Sequence, residues 1–177
     1  MKNALTVLAI CMASPGSADL LADLAPPPPS DGACWERTYD DAHLARHPRQ
    51  KVTDIRFHLQ NIAGEYAFNI AIATRERAGQ LHGYCSLDPD GSVACLVACD
   101  GGEIYLRRSR IKGAILLAVD SLDRLHVNAK CKGKDNDGAE AFMIQAEPDD
   151  RLFLLHATSV RTCTVQPFKP FLDHRGK

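Results

Sequence analysis

The sequence contains none of the short motifs by which common catalytic sites are recognised. No serine lies in the G-x-S-x-G pattern of a nucleophile elbow, no glycine-rich phosphate loop precedes a helix, and the H-E-x-x-H zinc signature is absent. Beyond the N-terminal residues, no apolar run approaches the roughly 20 residues of a transmembrane helix. These absences favour a non-enzymatic protein that has no membrane-spanning segment and needs no cofactor.

The N-terminus has the layout of a secretory signal peptide. Lys2 precedes an apolar run over residues 4–13, and two small residues at positions 17 and 18 allow cleavage after them. A buried N-terminal helix and a lipoprotein signal ending at Cys11 are the alternatives, but the residue before that cysteine is bulky. We expect residues 1–18 to be removed and the mature protein to be periplasmic or secreted.

The mature chain is nearly neutral and rich in cysteine. The full sequence has 21 Lys and Arg, 22 Asp and Glu and 7 Cys, and removing residues 1–18 takes away one lysine and one cysteine. The resulting net charge of −2 gives no electrostatic reason to expect nucleic acid or an anionic membrane as a partner. Six cysteines in an exported chain predict up to three disulfides, because that environment is oxidising.

The composition along the chain predicts a single domain. Four consecutive prolines make residues 19–33 a stiff Pro-rich spacer, and residues 168–177 form a flexible tail of charged residues and proline. The size of the part between them, residues 34–167, fits one domain with one core.

Within this domain the hydrophobic pattern has a period of two, as where Ile55, Phe57 and Leu59 alternate with polar residues. Tight turn sequences such as DPDG and IKG join the segments. We therefore predict an all-β fold: an antiparallel up-and-down meander of about eight strands, closed into a barrel because open edges invite aggregation. A sandwich would need longer crossovers. The predicted strand segments are KVTDIRFHLQ, YAFNIAIATR, LHGYCSL, SVACLVAC, EIYLRRSR, GAILLAVD, RLHVNAKC, AFMIQA and RLFLLHA.

Within the stretch CWERTYDDAHLARHPRQ, residues 34–50, the segment TYDDAHLARHP predicts a short N-terminal helix of one or two turns that forms a lid on the barrel. Asp40 or Asp41 can cap this helix, and Pro48 ends it before the first strand. The only tryptophan, Trp35, is expected to pack across the barrel mouth, under an arginine such as Arg37 or Arg161.

His43 and His47 lie at i and i+4, so on a helix their imidazoles share a face and could bind one metal ion. Asp40 and His58 are candidate third ligands, although the sequence fixes neither distance. The alternative is that both histidines form structural hydrogen bonds at the lid. The candidate ligand-binding residues are Trp35, His43, His47, Gln50 and Arg56.

The cysteine positions predict one disulfide directly. Cys85 and Cys95 flank a turn centred on residue 90, and an antiparallel ladder places them opposite each other, within bridging distance. A Cys34–Cys163 bridge would pin the lid to the end of the chain. A Cys99–Cys131 bridge then remains by elimination, and the sequence alone leaves the connectivity of these four open.

Three segments carry a resemblance: HLARHPRQ at residues 43–50, CDGG at 99–102 and DDRLFLL at 149–155. With them the chain resembles an uncharacterised family of small exported proteins from Gram-negative bacteria, over about residues 34–163. The resemblance implies a common fold and no particular activity. The chain is only weakly similar to the lipocalin-like barrels, through Trp35, since Ala33 stands where those proteins have a glycine.

These observations predict an exported, non-enzymatic β-barrel that binds a small ligand or an envelope protein. The alternative is a metal-binding protein or metal-dependent enzyme that uses His43 and His47. A structural envelope component tethered by the spacer is a third hypothesis. A hollow interior would make small-molecule binding inside the barrel the default, whereas a filled one directs attention to the outer surface.

Overall fold

The computed structural model describes residues 20–25, 31–88, 92–119, 124–128, 140–161 and 163. This part of the chain forms short helices and antiparallel strands. In chain order they are α1 (Leu20–Leu24), β1 (Ala33–Thr38), α2 (Asp41–Arg46), β2 (Val52–Ile62), β3 (Glu65–Thr74), β4 (Ala78–Leu87), β5 (Val93–Val97), β6 (Glu103–Arg108), β7 (Ala114–Val119), β8 (Arg124–Val127), β9 (Phe142–Gln145) and β10 (Leu152–Thr158).

Eight strands close into an antiparallel barrel in the order β1-β10-β7-β6-β5-β4-β3-β2. From β1 to β7 each strand pairs with the next one in sequence, and β10 closes the barrel by pairing with both β7 and β1. The remaining strands, β8 and β9, form a separate two-stranded ribbon between β7 and β10 in sequence. The predicted all-β barrel is therefore confirmed.

Two predicted elements have a different place. Residues 34–38, expected in the lid, belong to β1, which pairs with β2 and β10. The alternation of β1 is hidden because Cys34 is 2% exposed beside the inward-facing Trp35, so the sequence shows adjacent apolar residues instead of a period of two. The segments RLHVNAKC and AFMIQA are predicted as barrel strands, but their described strand residues, Arg124–Val127 and Phe142–Gln145, form the ribbon instead, because β10 already occupies the edge beside β7.

The barrel is filled. The predicted inward face of β2, Ile55, Phe57 and Leu59, is at most 1% exposed, and side chains from all eight strands join it in one buried cluster. Phe57 packs against Phe68 with ring centroids 5.9 Å apart. Two cavities lined by described residues, of about 860 and 480 Å³, both open outside the barrel.

Helix α1 closes one end of the barrel, which we call the α1 end. Leu20, Leu21 and Ala25 are buried in the core cluster, and Asp23 forms an ion pair with Arg108 at the end of β6. The interpretation of residues 19–33 as a spacer without a core therefore does not hold for residues 20–25. The predicted signal peptide, the four prolines and the tail at 168–177 lie outside the described residues.

The ribbon covers the opposite end, the ribbon end. Leu125, Val127 and Ile144 on the ribbon are buried in the core cluster. Helix α2 lies at the rim of this end, between β1 and β2, and buries Leu44. Neither helix in the described part of the chain has the length and apolar character to span a bilayer.

Two of the predicted disulfides are present. Cys85 and Cys95 are opposed on β4 and β5 and are bonded inside the barrel. Cys34 on β1 is bonded to Cys163, across 129 residues of sequence. Cys99 is also disulfide-bonded, but its predicted partner, Cys131, lies outside the described residues.

Candidate functional site

Helix α2 begins as the sequence predicts. The Asp40 carboxylate accepts a hydrogen bond from the backbone N–H of His43 at 2.7 Å, which satisfies one of the free donors of the first turn. His47 occupies the C-cap position directly before Pro48, whose missing N–H cannot continue the helix. The helix is short because the sequence provides a start and a stop only seven residues apart.

Arg75 holds α2 against the barrel. Its guanidinium donates to the carbonyl oxygens of Leu44 and Gln50, both at 2.8 Å, and of His47 at 3.3 Å. The guanidinium thereby satisfies the carbonyl oxygens of Leu44 and His47 at the C-terminal end of α2, which no further helical turn covers. These carbonyl oxygens are neutral, and none of the ion pairs among the described residues includes Arg75, although Glu76 follows it directly in the chain.

Asp150 ties the start of β10 to the start of β2. The pairing of β1 with β2 reaches only as far as Asp54, so the backbone N–H groups of Lys51 and Val52 lie beyond it. Asp150, which is 0% exposed, accepts both, at 2.7 and 3.1 Å. Burial raises the pKa of this carboxyl, and the two backbone donors act in the opposite direction. An aspartate thus takes the place of a missing strand partner.

The C-D-G-G turn seats the ribbon. The backbone N–H of His126 on β8 donates to the carbonyl oxygen of Gly101 at 2.9 Å. Gly102 has a φ of +100°, and a Cβ there would lie 2.6 Å from the carbonyl oxygen of Arg124. Only glycine allows this conformation together with so close an approach of β8.

Three segments that the sequence analysis singled out therefore meet at the ribbon end. The HLARHPRQ segment forms α2 and its cap, the CDGG segment docks β8, and the DDRLFLL segment anchors β10 on β2. Their shared location marks this end as the candidate functional region.

The two predicted metal ligands, His43 and His47, lie together but face other groups. Their rings stack with centroids 4.3 Å apart and an interplanar angle of 22°. The Nε2 atom of His43 lies 3.0 Å from Oε1 of Gln50, and Nδ1 of His47 lies 3.7 Å from the Asp149 carboxylate. Stacked imidazoles direct their in-plane lone pairs side by side, whereas a shared zinc needs both nitrogens to converge at about 2.0–2.1 Å.

The candidate third ligands do not complete a metal site. Asp40 accepts a hydrogen bond as the N-cap of α2. His58 lies six residues along β2 from Val52, about 20 Å away in an extended strand, and contacts the carbonyl oxygen of Asp31 at 3.1 Å. Among the described residues, no group of three His, Cys, Asp or Glu side chains is placed to hold a metal ion.

Of the other candidate ligand-binding residues, Gln50 lies beside the two histidines and Trp35 does not. Gln50 is buried beside α2 and donates to the carbonyl oxygen of Val52 at 2.8 Å. Trp35 is 4% exposed in the core, 6.0 Å from Phe57. Arg37 lies over the Tyr39 ring at 5.0 Å, and the predicted stacking of Arg37 on the tryptophan does not occur.

Arg56 lies on the outer wall of the barrel, away from α2. Its Nε atom is 3.4 Å from Asp54 and 3.9 Å from Glu36. The structure therefore brings His43, His47 and Gln50 together but places Trp35 and Arg56 elsewhere.

A groove of about 860 Å³ opens at the ribbon end, between the β3–β4 turn and the ribbon. Such a volume lies within the range of small-molecule sites, about 300–1,000 Å³. Apolar side chains of β9 line one side, and Met143 among them is 49% exposed. The lining residues are Lys51, Thr74, Arg75, Glu76, Arg77, Cys99, His126, Ala141, Phe142, Met143, Ile144 and Gln145.

The opposite side of the groove is positively charged. Lys51, Arg75 and Arg77 contribute three cations to the lining, against the single acid Glu76. Lys51 pairs with Glu147 at 3.3 Å, and Arg77 pairs with the exposed Glu140 at 3.2 Å. Such exposed ion pairs contribute only about 0–1 kcal/mol each, so an incoming anion can replace them at little cost.

Sequence reasoning did not find this groove. Of its charged residues, Arg75, Glu76 and Arg77 belong to a hairpin turn, TRER, that carries no recognised motif, and Lys51 directly precedes β2. Its apolar side comes from AFMIQA, which the sequence predicts as a barrel strand. Only the position of the ribbon brings the two segments together.

Comparisons of this chain with protein-family models, with curated proteins and with solved structures found no match.

Proposed function

We propose that this protein is an exported, non-enzymatic binding protein that holds an amphipathic organic anion in the groove at its ribbon end. Export is supported by the signal-peptide layout of residues 1–18 and by the disulfides, which form and persist in oxidising compartments. The filled barrel supports a ligand site on the outside rather than in the interior.

The groove carries this proposal. One side offers three cations, and Arg75 among them is held rigidly by neutral carbonyl oxygens. The other side offers exposed apolar surface from β9, chiefly Met143. A ligand with an acid group and an apolar chain matches both sides, because its charge replaces weak surface ion pairs while its chain leaves water.

The resemblance supports the same region. If the chain belongs to the family of small exported Gram-negative proteins that it resembles, its three shared segments would all serve to build the ribbon end. Those segments would then have a supporting role, because their hydrogen bonds fix the positions of Lys51 and Arg75 in the groove lining.

The test is a fluorescence titration of the purified protein with dansylated undecanoic acid. The methyl ester of the same probe is the uncharged control. We expect saturable binding of the acid, about tenfold weaker binding of the ester, and a similar loss for a Lys51→Gln/Arg77→Gln variant, since about 1.4 kcal/mol corresponds to a factor of ten.

A pair of matched variants locates the site. Met143→Glu places a negative charge on the apolar side of the groove, whereas Leu96→Glu places the same charge at an outer-wall position that is 63% exposed. Only Met143→Glu should abolish binding of the acid. Equal affinity in both variants, or the absence of saturable binding to the unmodified protein, would refute the proposal.

A further inference from the structure

The turn between β6 and β7 concentrates positive charge on a protein whose net charge is slightly negative. Residues 104–119 include Arg107, Arg108, Arg110 and Lys112 and no acidic residue. All four cations are exposed. Within the described residues, Arg108 is the only one of them with an ion-pair partner, which is Asp23 on α1. We call residues 107–113 the cationic turn.

An isoleucine stands at the tip of the cationic turn. Ile111 is 49% exposed between Arg110 and Lys112. Its backbone N–H donates to the Ser109 hydroxyl oxygen at 3.1 Å, and its carbonyl oxygen accepts from the N–H of Ala114 at 3.1 Å. These bonds fix the turn, so the apolar side chain is presented to solvent by a defined conformation.

The neighbouring strand adds to this surface. Gly113, with a φ of +75°, accepts a hydrogen bond from the backbone N–H of Ala157 on β10 at 2.7 Å. The chain that leaves β10 carries Arg161, which is also exposed. The end of β10 therefore runs beside the cationic turn, and a further positive charge follows it at the α1 end of the barrel.

We infer that the cationic turn docks the protein on an anionic membrane surface. Arg110 and Lys112 match the negative surface potential, and Ile111 between them matches the apolar region below the headgroups. A soluble anion, such as an acidic polysaccharide, would be bound by the cations alone, because it offers no apolar region for the isoleucine to enter. The formal net charge of −1 averages over the whole chain and gives no sign of this local concentration of positive charge.

Docking in this orientation would leave the groove open. The cationic turn lies at the α1 end, whereas the groove lies at the ribbon end. A membrane-bound molecule would therefore face the solution with its groove. The inference nevertheless stands apart from the proposed ligand, because neither site shares a residue with the other.

The experiment is co-sedimentation of the purified protein with vesicles of phosphatidylcholine, with and without phosphatidylglycerol. Arg110→Ser/Lys112→Ser removes two cations from the turn, and Ile111→Ser removes the apolar tip. The matched control is Arg46→Ser/Arg49→Ser, which removes two exposed cations at the ribbon end. Folding of each variant is checked by the emission of the buried Trp35.

We expect binding only to the vesicles that contain phosphatidylglycerol, and weaker binding as salt is raised. The double variant in the turn should lower the partition coefficient about 25-fold, at about fivefold for each cation near the surface. Ile111→Ser should lower it about fivefold, and the control pair less than twofold.

Three results would overturn the inference: no preference for anionic vesicles, equal losses in the turn and control variants, or full binding by Ile111→Ser. In the last case, retention of both the unmodified protein and Ile111→Ser on a heparin column would identify a binder of soluble polyanions. The groove titration with dansylated undecanoic acid is unaffected by any of these results.

Discussion

Asp150 provides the most direct test of how the ribbon end is held together. We predict that Asp150→Ala destabilises the protein by about 2–4 kcal/mol. The carboxylate accepts hydrogen bonds from the backbone N–H groups of Lys51 and Val52, on the edge of β2 where the pairing with β1 has already ended. The variant removes both acceptors together.

The magnitude follows from the two orphaned donors. Leaving a buried N–H unsatisfied costs about 1–3 kcal/mol. The bond from Val52 is buried and the bond from Lys51 is part-buried, so losing both costs about 2–5 kcal/mol. Burial raises the pKa of Asp150, which means that the ionised carboxylate is itself held at some cost at neutral pH. The variant no longer has to hold a buried carboxylate, which offsets part of the destabilisation from the two lost hydrogen bonds. The expected decrease in unfolding free energy is therefore in the lower part of that range. Because small domains are stable by only about 5–15 kcal/mol, the effect is large.

Urea unfolding followed by the fluorescence of Trp35 measures this effect, since the only tryptophan is 4% exposed in the folded protein. With a urea slope of about 2 kcal/mol per molar, the midpoint should fall by about 1–2 M. Asp149→Ala is the matched control, because the neighbouring carboxylate is only half-buried and lies 3.7 Å from His47. If both variants unfold at the same urea concentration, the strand-replacing role of Asp150 is refuted.

Three further predictions concern the same end of the protein. Gly102→Ala should cost about 2–4 kcal/mol and Gly64→Ala only about 1 kcal/mol in thermal unfolding, because both have positive φ but only Gly102 meets the backbone of β8; equal losses would contradict the docking role of that turn. Burial raises the pKa of Asp150, so the folded state favours the protonated carboxyl. The resulting gain in unfolding free energy is fully present below about pH 3.8 and is lost as the pH rises through the raised pKa. Urea unfolding at a series of pH values should show this decrease in the unmodified protein and not in Asp150→Asn. His43→Ala/His47→Ala should lower stability by about 1–2 kcal/mol through lost hydrogen bonding and stacking, while zinc or copper carried by the unmodified protein and lost in this variant would restore the metal hypothesis.

The periodic parts of the fold were predictable from sequence because one face of each strand is buried. On β2 the apolar residues Ile55, Phe57 and Leu59 alternate with polar ones, and they are the residues that fill the barrel. The Cys85–Cys95 disulfide was predictable for a related reason: a tight turn fixes the register of its two strands, and the register fixes which residues are opposed. Both predictions rest on local geometry alone.

The misplaced elements depend on contacts that are distant in sequence. Cys34 is buried on the outer side of β1 because it is bonded to Cys163, and this bond hides the period of the strand. Leu20 and Leu21 fall in a segment with the composition of a spacer, yet they are buried because the open end of the barrel needs an apolar cover. Neither the disulfide partner of Cys34 nor the need to cover the open end of the barrel can be predicted from a local sequence pattern.

The candidate site was only partly predictable for the same reason. The helix over residues 41–46 and its Asp40 cap follow from local signals, and in the structure His43, His47 and Gln50 lie together beside this helix. The role of the two histidines does not follow from such signals, since the i, i+4 spacing is compatible both with a shared metal ion and with a stacked, hydrogen-bonded pair.

The groove shows why the sequence-derived candidates and the proposed binding residues differ. Sequence motifs are recognisable where particular residues are required for a particular backbone conformation. Here the HLARHPRQ segment with its Asp40 cap forms α2, the CDGG segment docks β8, and the DDRLFLL segment anchors β10. The surface that results is lined instead by ordinary residues such as Lys51, Arg77 and Met143, which no spacing rule marks. If this division is correct, substitutions in the motifs should change the stability of the ribbon end first and ligand affinity only as a consequence. Substitutions at the exposed lining residues Lys51, Arg77 and Met143 should change affinity and leave the unfolding midpoint in place.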